Sequence, residues 1–246
     1  MTSSGRLGSP LGNASALRRI GRVLERLALH GLGAAALTGS VASMLHGRRL
    51  GAGLRVEAPQ DVDLVFPAFD AIPRSLGGAL LCWHVHPDAL PGRLWLQLVD
   101  PLEAIRIDIF GARGAALDQS ETYRIGKIDL QVLSLEDVVA NTARLLLDLS
   151  RGEAVARKHL VDFERLRPGV DIDRMEAVWE DYRRRKDPLS YRTAAAEIGR
   201  LTKARPELLI VPRYGAAARA ACPRCRSMAE FPKASAAEVR GVLGYI

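Results

Sequence analysis

Two aspartates one residue apart stand in an apolar run, Asp61-Val62-Asp63-Leu64-Val65-Phe66, and a third stands in another, Ile105-Arg106-Ile107-Asp108-Ile109-Phe110. Side chains on a strand alternate between faces, so Asp61 and Asp63 share one face about 7 Å apart, and Val62 and Leu64 share the other. A carboxylate buried without a partner is costly, so the chain has to fold in a way that gives these acids a cation. A sheet that sets the two strands side by side brings three carboxylates together. Oxygen donors so arranged suit Mg²⁺, which takes an octahedral oxygen shell completed by water and substrate phosphates, and Mn²⁺ suits the same ligands.

Upstream, an apolar run from Ala34 to Leu37 reads as a buried strand that closes at Gly39. The segment "SVASMLHG" then predicts a short helix with Ser40 at or near its N-cap and Gly47 as its stop. Free backbone N–H groups and the positive dipole end attract phosphate there. Gly39 would let the backbone approach closely, and Ser40 adds a hydroxyl donor. A Gly-Ser pair before a helix is common, so the pair gains weight only from its order: strand, Gly-Ser, helix, Asp-x-Asp strand, single-Asp strand.

The remaining pattern predicts an α/β (α+β) protein. Residues 1–14 read as a flexible leader rich in Ser and Gly. Leu17, Ile20, Leu24 and Leu27 recur at helical spacing and open a mixed-sheet domain over residues 15–134, with helices flanking the sheet. Residues 47–60 are a Gly- and Arg-rich loop, and "PAFDAIPRSLGGALL" has room for one short helix. Strands are expected at "LCWHVH", "RLWLQLV" and "AIRIDIF", the last two as an antiparallel hairpin, and again through Ile128, Leu130 and Val132. "SLED" at Ser134 is a helix-start pattern, and residues 135–204 read as a helical domain. Residues 205–246 form a C-terminal extension containing Cys222-Pro-Arg-Cys225.

Composition narrows the function classes. The 246 residues are 48% hydrophobic, enough for one substantial core, yet no run reaches the ~18 apolar residues of a membrane span. The start of the chain has no apolar segment of signal-peptide type, so a cytoplasmic location without membrane attachment is expected. Three cysteines fit a reducing compartment. Thirty-five Lys and Arg against 28 Asp and Glu give +7, which permits an RNA partner without requiring one. Cys222 and Cys225 have the spacing of half a zinc site, with Cys82, His84 and His86 as further donors; they read equally as free thiols in a turn. The cluster Arg183 to Lys186 is either a solvated helix end or a phosphate contact.

"LTGS", "DVDLV" and "RIDIF", in this order, resemble the three signature elements of the nucleotidyltransferase superfamily, the DNA polymerase beta-like fold. "SLEDVVANTARLLLDL" followed by "ARKHLVDFERL" resembles the helical half of AbiEii-type nucleotidyltransferase toxins, so the likeness covers roughly residues 15–167. The resemblance implies two Mg²⁺ ions held by Asp61, Asp63 and Asp108, and an NTP substrate whose phosphates rest on Gly39 and Ser40. An acceptor hydroxyl on tRNA, a protein or a small molecule would attack the α-phosphorus, and the toxin branch implies an antitoxin partner. Asp108 would assist deprotonation of the acceptor. Lys158 and Asp162 match a Lys-x-x-x-Asp element of the helical half as further catalytic residues, and read equally as a plain i,i+4 ion pair. Two departures stand out. The gap between Ser40 and Asp61 holds an insert that would bring Arg48, Arg49 or Arg55 to the nucleotide, and Thr142 stands where that branch has a lysine. The second departure supports an alternative, a degenerate relative that binds nucleotide or RNA without turnover.

Overall fold

A computed structural model describes residues 10–52, 59–85, 92–183 and 188–211, with the side chains of 10–13 and 82–85 outside that description. Arg55, His86, Arg184 to Lys186, Cys222, Cys225 and the first nine residues lie outside the described residues, as do the side chains of Cys82 and His84.

Helix α1, Pro10–Ala28, begins the described chain, so residues 10–14 are helical where a leader was expected. Strand β1 is Ala36–Thr38 and runs straight into helix α2, Gly39–Arg49. The cap residue of α2 is Thr38, without a side-chain cap bond, so Ser40 stands near the cap, as the second residue of the helix. Gly47 does not stop α2. A Cβ there would stand 3.0 Å from the Arg165 guanidinium and 3.7 Å from Leu166, so this glycine serves close helix packing, which outweighs its roughly 1 kcal/mol propensity cost.

Strand β2, Asp61–Phe66, is followed by a single helical turn α3, Leu76–Ala79, and by strands β3, Leu81–Val85, β4, Leu94–Asp100, and β5, Ile105–Gly111. The expected β4–β5 hairpin is present. Next come β6, Glu121–Ile125, which the sequence pattern did not predict, and β7, Ile128–Val132. Among the described residues the seven strands form one mixed sheet in the order β3-β4-β5-β2-β1-β7-β6. β2 pairs in parallel with β5 and antiparallel with β1, so the Asp-x-Asp strand is central.

Helix α4, Leu135–Leu146, starts at a buried cap: Ser134 Oγ accepts from the Asp137 N–H and donates back to the Asp137 carboxylate. A two-residue strand β8, Val155–Ala156, interrupts what read as continuous helix, and α5 then spans Arg157–Leu166. Helices α6, Ile172–Tyr182, and α7, Tyr191–Ala204, complete the helical half, and β9, Leu209–Ile210, pairs in parallel with β8.

The apolar face of β2 and β5 carries Val62, Leu64, Ile107 and Ile109, all essentially fully buried, in one core with Leu24 and Leu27 of α1. Each such side chain stabilises the fold by about 1.5–3 kcal/mol. The helical half packs through α4 against α2, α5 and α6 within the same core, so sheet and helices share one hydrophobic interior. No helix among the described residues is long and apolar enough to cross a membrane.

Candidate active site

The sheet register assembles the site. Across neighbouring strands Thr38 lies opposite Asp63, Asp63 opposite Asp108, and Asp108 opposite Gln97, a polar row that runs over β1, β2, β5 and β4. One step along, Asp61 lies opposite Arg106. Residues paired in register share a face, so the alternation that buries Val62 and Ile107 on one side puts all three acids on the other. One carboxylate oxygen from each of Asp61, Asp63 and Asp108 lies within 4.8 Å of the others.

Each acid is held differently. Gln97 Nε2 donates to Asp108 Oδ1 at 2.7 Å, and Arg106 Nε pairs with Asp108 Oδ2 at 3.1 Å. Arg106 Nη2 donates to Asp61 Oδ2, while Asp61 Oδ1 is buried and has no hydrogen-bond partner. Asp63 is pushed well above the usual carboxylate range by its burial first and then by the charges of Asp61 and Asp108; Lys158 and Arg106 pull it back down. Gly39 abuts this carboxylate. Its φ is +60°, a left-handed backbone that glycine adopts freely, and a Cβ there would overlap the Asp63 carboxylate. The sequence assigned Gly39 to phosphate, but the neighbour that demands a glycine is Asp63.

The donor set fits a divalent ion. Three hard oxygen ligands converge, one oxygen of Asp61 is buried without a hydrogen, and Asp63 retains excess negative surroundings that a cation would offset. Asp61, Asp63 and Asp108 would hold it.

The acids open into a cleft of about 280 Å³ between the sheet and the helical half. Thr38 and Gly39 line it from the β1–α2 turn, and Asn141 and Arg144 from α4. Lys158 and His159 line it from α5, and Arg113 and Tyr182 close another side. The predicted residues therefore separate. Gly39, Asp61, Asp63 and Lys158 meet in the cleft, and Asp108 meets them through the triad. Ser40 is buried and is not part of the lining. Asp162 is buried on α5 with Arg165 Nη1 3.9 Å from it, and is likewise outside the lining. Thr142 is turned inward, donating to the Val138 carbonyl at 2.8 Å, so the cation that α4 brings to the cleft is Arg144. Arg49, expected in the loop, is the last residue of α2 and pairs with Glu121 of β6.

Sequence reasoning missed Arg106, Gln97, Arg113, Arg144, His159 and Tyr182. Arg106 was within reach of it, because it stands two residues before Asp108 and must share that face. Tyr182 is held by its hydroxyl, which donates to Asp137 Oδ1 at 3.1 Å, and by Arg113, whose guanidinium lies 5.6 Å over its ring. Burial and the Asp137 charge raise the Tyr182 hydroxyl well above its usual range, so it remains a proton donor.

No protein-family model matches the chain, and no curated protein matches it. Among solved structures, the chain is similar to the crystal structure of an antigenic nucleotidyltransferase-like protein from Paracoccidioides brasiliensis. The identity is 15%, the match covers 80% of this chain and 91% of the other, and the TM-score is 0.46. At that level of similarity the functional argument rests on the site itself.

Proposed function

We propose that the chain is a divalent-metal-dependent nucleotidyltransferase that moves a nucleoside monophosphate from an NTP to an acceptor hydroxyl. The observation that carries this reading is the parallel, in-register pairing of the Asp-x-Asp strand with the single-Asp strand, which gathers three carboxylates at the base of a cleft lined with cations. The sequence resemblance of "LTGS", "DVDLV" and "RIDIF" supports the same reading.

The chain's own groups divide the work. Lys158, Arg144 and Arg113 supply positive charge for a triphosphate, and Gly39 keeps the turn beneath Asp63 free of any side chain. Asp61, Asp63 and Asp108 would hold the divalent ions, Mg²⁺ or Mn²⁺, whose positive charge would supply stabilisation of the α-phosphate and the leaving pyrophosphate. The acceptor oxygen bonds to the α-phosphorus, the bond from that phosphorus to the bridging oxygen breaks, and pyrophosphate leaves with the electron pair. The acceptor proton passes to Asp108, whose other oxygen Gln97 keeps in place.

A second reading, a relative that binds nucleotide without transfer, is favoured by Thr142, which is buried where the toxin branch carries a lysine. One experiment separates the two. The purified protein is incubated with each α-labelled NTP, Mg²⁺ or Mn²⁺, and a pool of tRNA, protein and small-molecule acceptors. Transfer predicts a labelled acceptor that disappears in Asp61→Ala and Asp63→Ala; nucleotide binding with no label under any condition supports the second reading. The acceptor class that takes the label decides among RNA, protein and small molecule, and an antitoxin-like partner would be sought by its suppression of that label.

A further inference from the structure

We propose that Arg106 is a resident counter-cation: its guanidinium neutralises Asp61 and Asp108 in the metal-free protein, and a divalent ion gains those carboxylates only when the guanidinium leaves them. The inference rests on the metal-binding reading above and adds a competitor built into the chain.

Arg106 is placed for this by the strand itself. It precedes Asp108 by two residues and therefore shares its face, and it stands opposite Asp61 in register. From there one side chain reaches both acids, Nη2 on Asp61 Oδ2 and Nε 3.1 Å from Asp108 Oδ2. On Asp108 the oxygen it takes is the one Gln97 leaves to a metal, and on Asp61 it leaves only Oδ1 for the ion and sets a positive charge beside it. Three acids gathered in a buried site repel one another, and removing the cation that balances them leaves an uncompensated cluster. An arginine cannot escape this role by losing its proton at accessible pH, so it gives up the carboxylates only by moving.

The cleft itself offers the guanidinium a destination. The Arg106 side chain is 16% exposed, and it lines the cleft that Lys158 and Arg144 share. A guanidinium leaving Asp61 stays within that cleft, where a phosphate group offers it the same bidentate geometry as the carboxylates. An anionic ligand would therefore draw Arg106 away from the acids and open them to the ion, so occupancy by metal and by phosphate ligand rise together.

The test measures Mn²⁺ binding to the full chain by the electron paramagnetic resonance of the free ion, with melting temperatures in EDTA and in Mn²⁺. Wild type, Arg106→Gln and Arg106→Lys are compared, with Asp61→Asn as the site control. Arg106→Gln is expected to bind Mn²⁺ about tenfold or more tightly than wild type, to melt lower in EDTA, and to gain more from Mn²⁺. Arg106→Lys, whose single ammonium cannot bridge both acids, is expected between the two, and it serves with the same criterion where Arg106→Gln does not accumulate as folded protein. Equal Mn²⁺ affinity across wild type and variants overturns the competition and leaves the metal site standing. Absence of Mn²⁺ binding in wild type and in both Arg106 variants overturns the metal site and the competition together.

Discussion

Asp63 and Gly39 show the same trade at single-residue scale: each is kept in a conformation or an environment that folding alone would reject. Replacing Gly39 with alanine would put a Cβ into the Asp63 carboxylate on a backbone at φ +60°. We expect Gly39→Ala to lose about 1–3 kcal/mol in urea unfolding and to weaken Mn²⁺ binding by displacing Asp63. Asp63 has a folded-state pKa raised by burial and by its two acidic neighbours, so the native state holds its proton more tightly than the unfolded chain does. Its contribution is therefore favourable below the unfolded value near 3.9 and is lost as pH rises toward the folded value. In EDTA at neutral pH, Asp63→Asn should raise the melting temperature by a few degrees while abolishing Mn²⁺ binding; a lower melting temperature would contradict the burial penalty. The acids were legible because each breaks an apolar alternation, and that signal survives without any tertiary knowledge. Arg106 obeys the same period, yet an arginine on a strand also reads as ordinary surface charge, and only its register with Asp61 separates the two. Ser40 is a different case: its hydroxyl type suits phosphate and it stands in the first turn of α2, but its side chain is buried.

At the scale of elements, the joint between β7 and α4 is the most testable. Ser134 is fully buried and serves both as acceptor for the Asp137 N–H and as donor to its carboxylate. Ser134→Ala should cost about 1–2 kcal/mol by urea denaturation, and the far-ultraviolet spectrum should show fraying without loss of the fold. His46 ties α2 to the same joint. Its Nε2 donates to the Leu133 carbonyl at 2.8 Å, and its Nδ1 accepts from the Tyr123 hydroxyl at 3.0 Å, the arrangement of a neutral ring. Burial lowers its pKa from the ordinary value, so below about pH 6.5 the unfolded chain takes up a proton that the native state refuses. Stability should fall as pH drops from that point toward the folded value, and His46→Gln should remove this component from the urea midpoint measured against pH. Local chemistry explains what was readable here: "SLED" is a cap with its own hydrogen bonds and needs no partner. β6 was not readable because its pattern, half-buried and exposed residues in turn, lacks an apolar stripe and depends on β7 for pairing. The persistence of α2 through Gly47 likewise depends on α5, which lies more than a hundred residues on.

Over the whole molecule, long-range polar anchors join parts that the sequence could only set in order. Asp100 is 1% exposed and accepts from the backbone N–H groups of Leu102 and Glu103 and from Arg26 of α1. Removing it leaves a part-buried guanidinium and two turn N–H groups without their acceptor, so Asp100→Ala should cost about 1–3 kcal/mol in urea unfolding, more than loss of the exposed pair of Arg200 with Glu197. Strands β2, β4, β5 and β7 and the helices of the second half were legible from period, while β6 and β8 were not. The order β3-β4-β5-β2-β1-β7-β6 was not, because the β2–β5 pairing bridges two intervening strands and no local signal states it. That pairing decides the shape of the cleft, with acids on the sheet side and Arg144 and Lys158 on the helices opposite. The slot is thus polarised across its width, like two plates of opposite sign. A molecule with neither charge nor dipole gains nothing from one orientation over its reverse, whereas a polyanion escorted by a cation has a favoured heading. For such a ligand the field across the slot sets the direction of entry before any close contact forms.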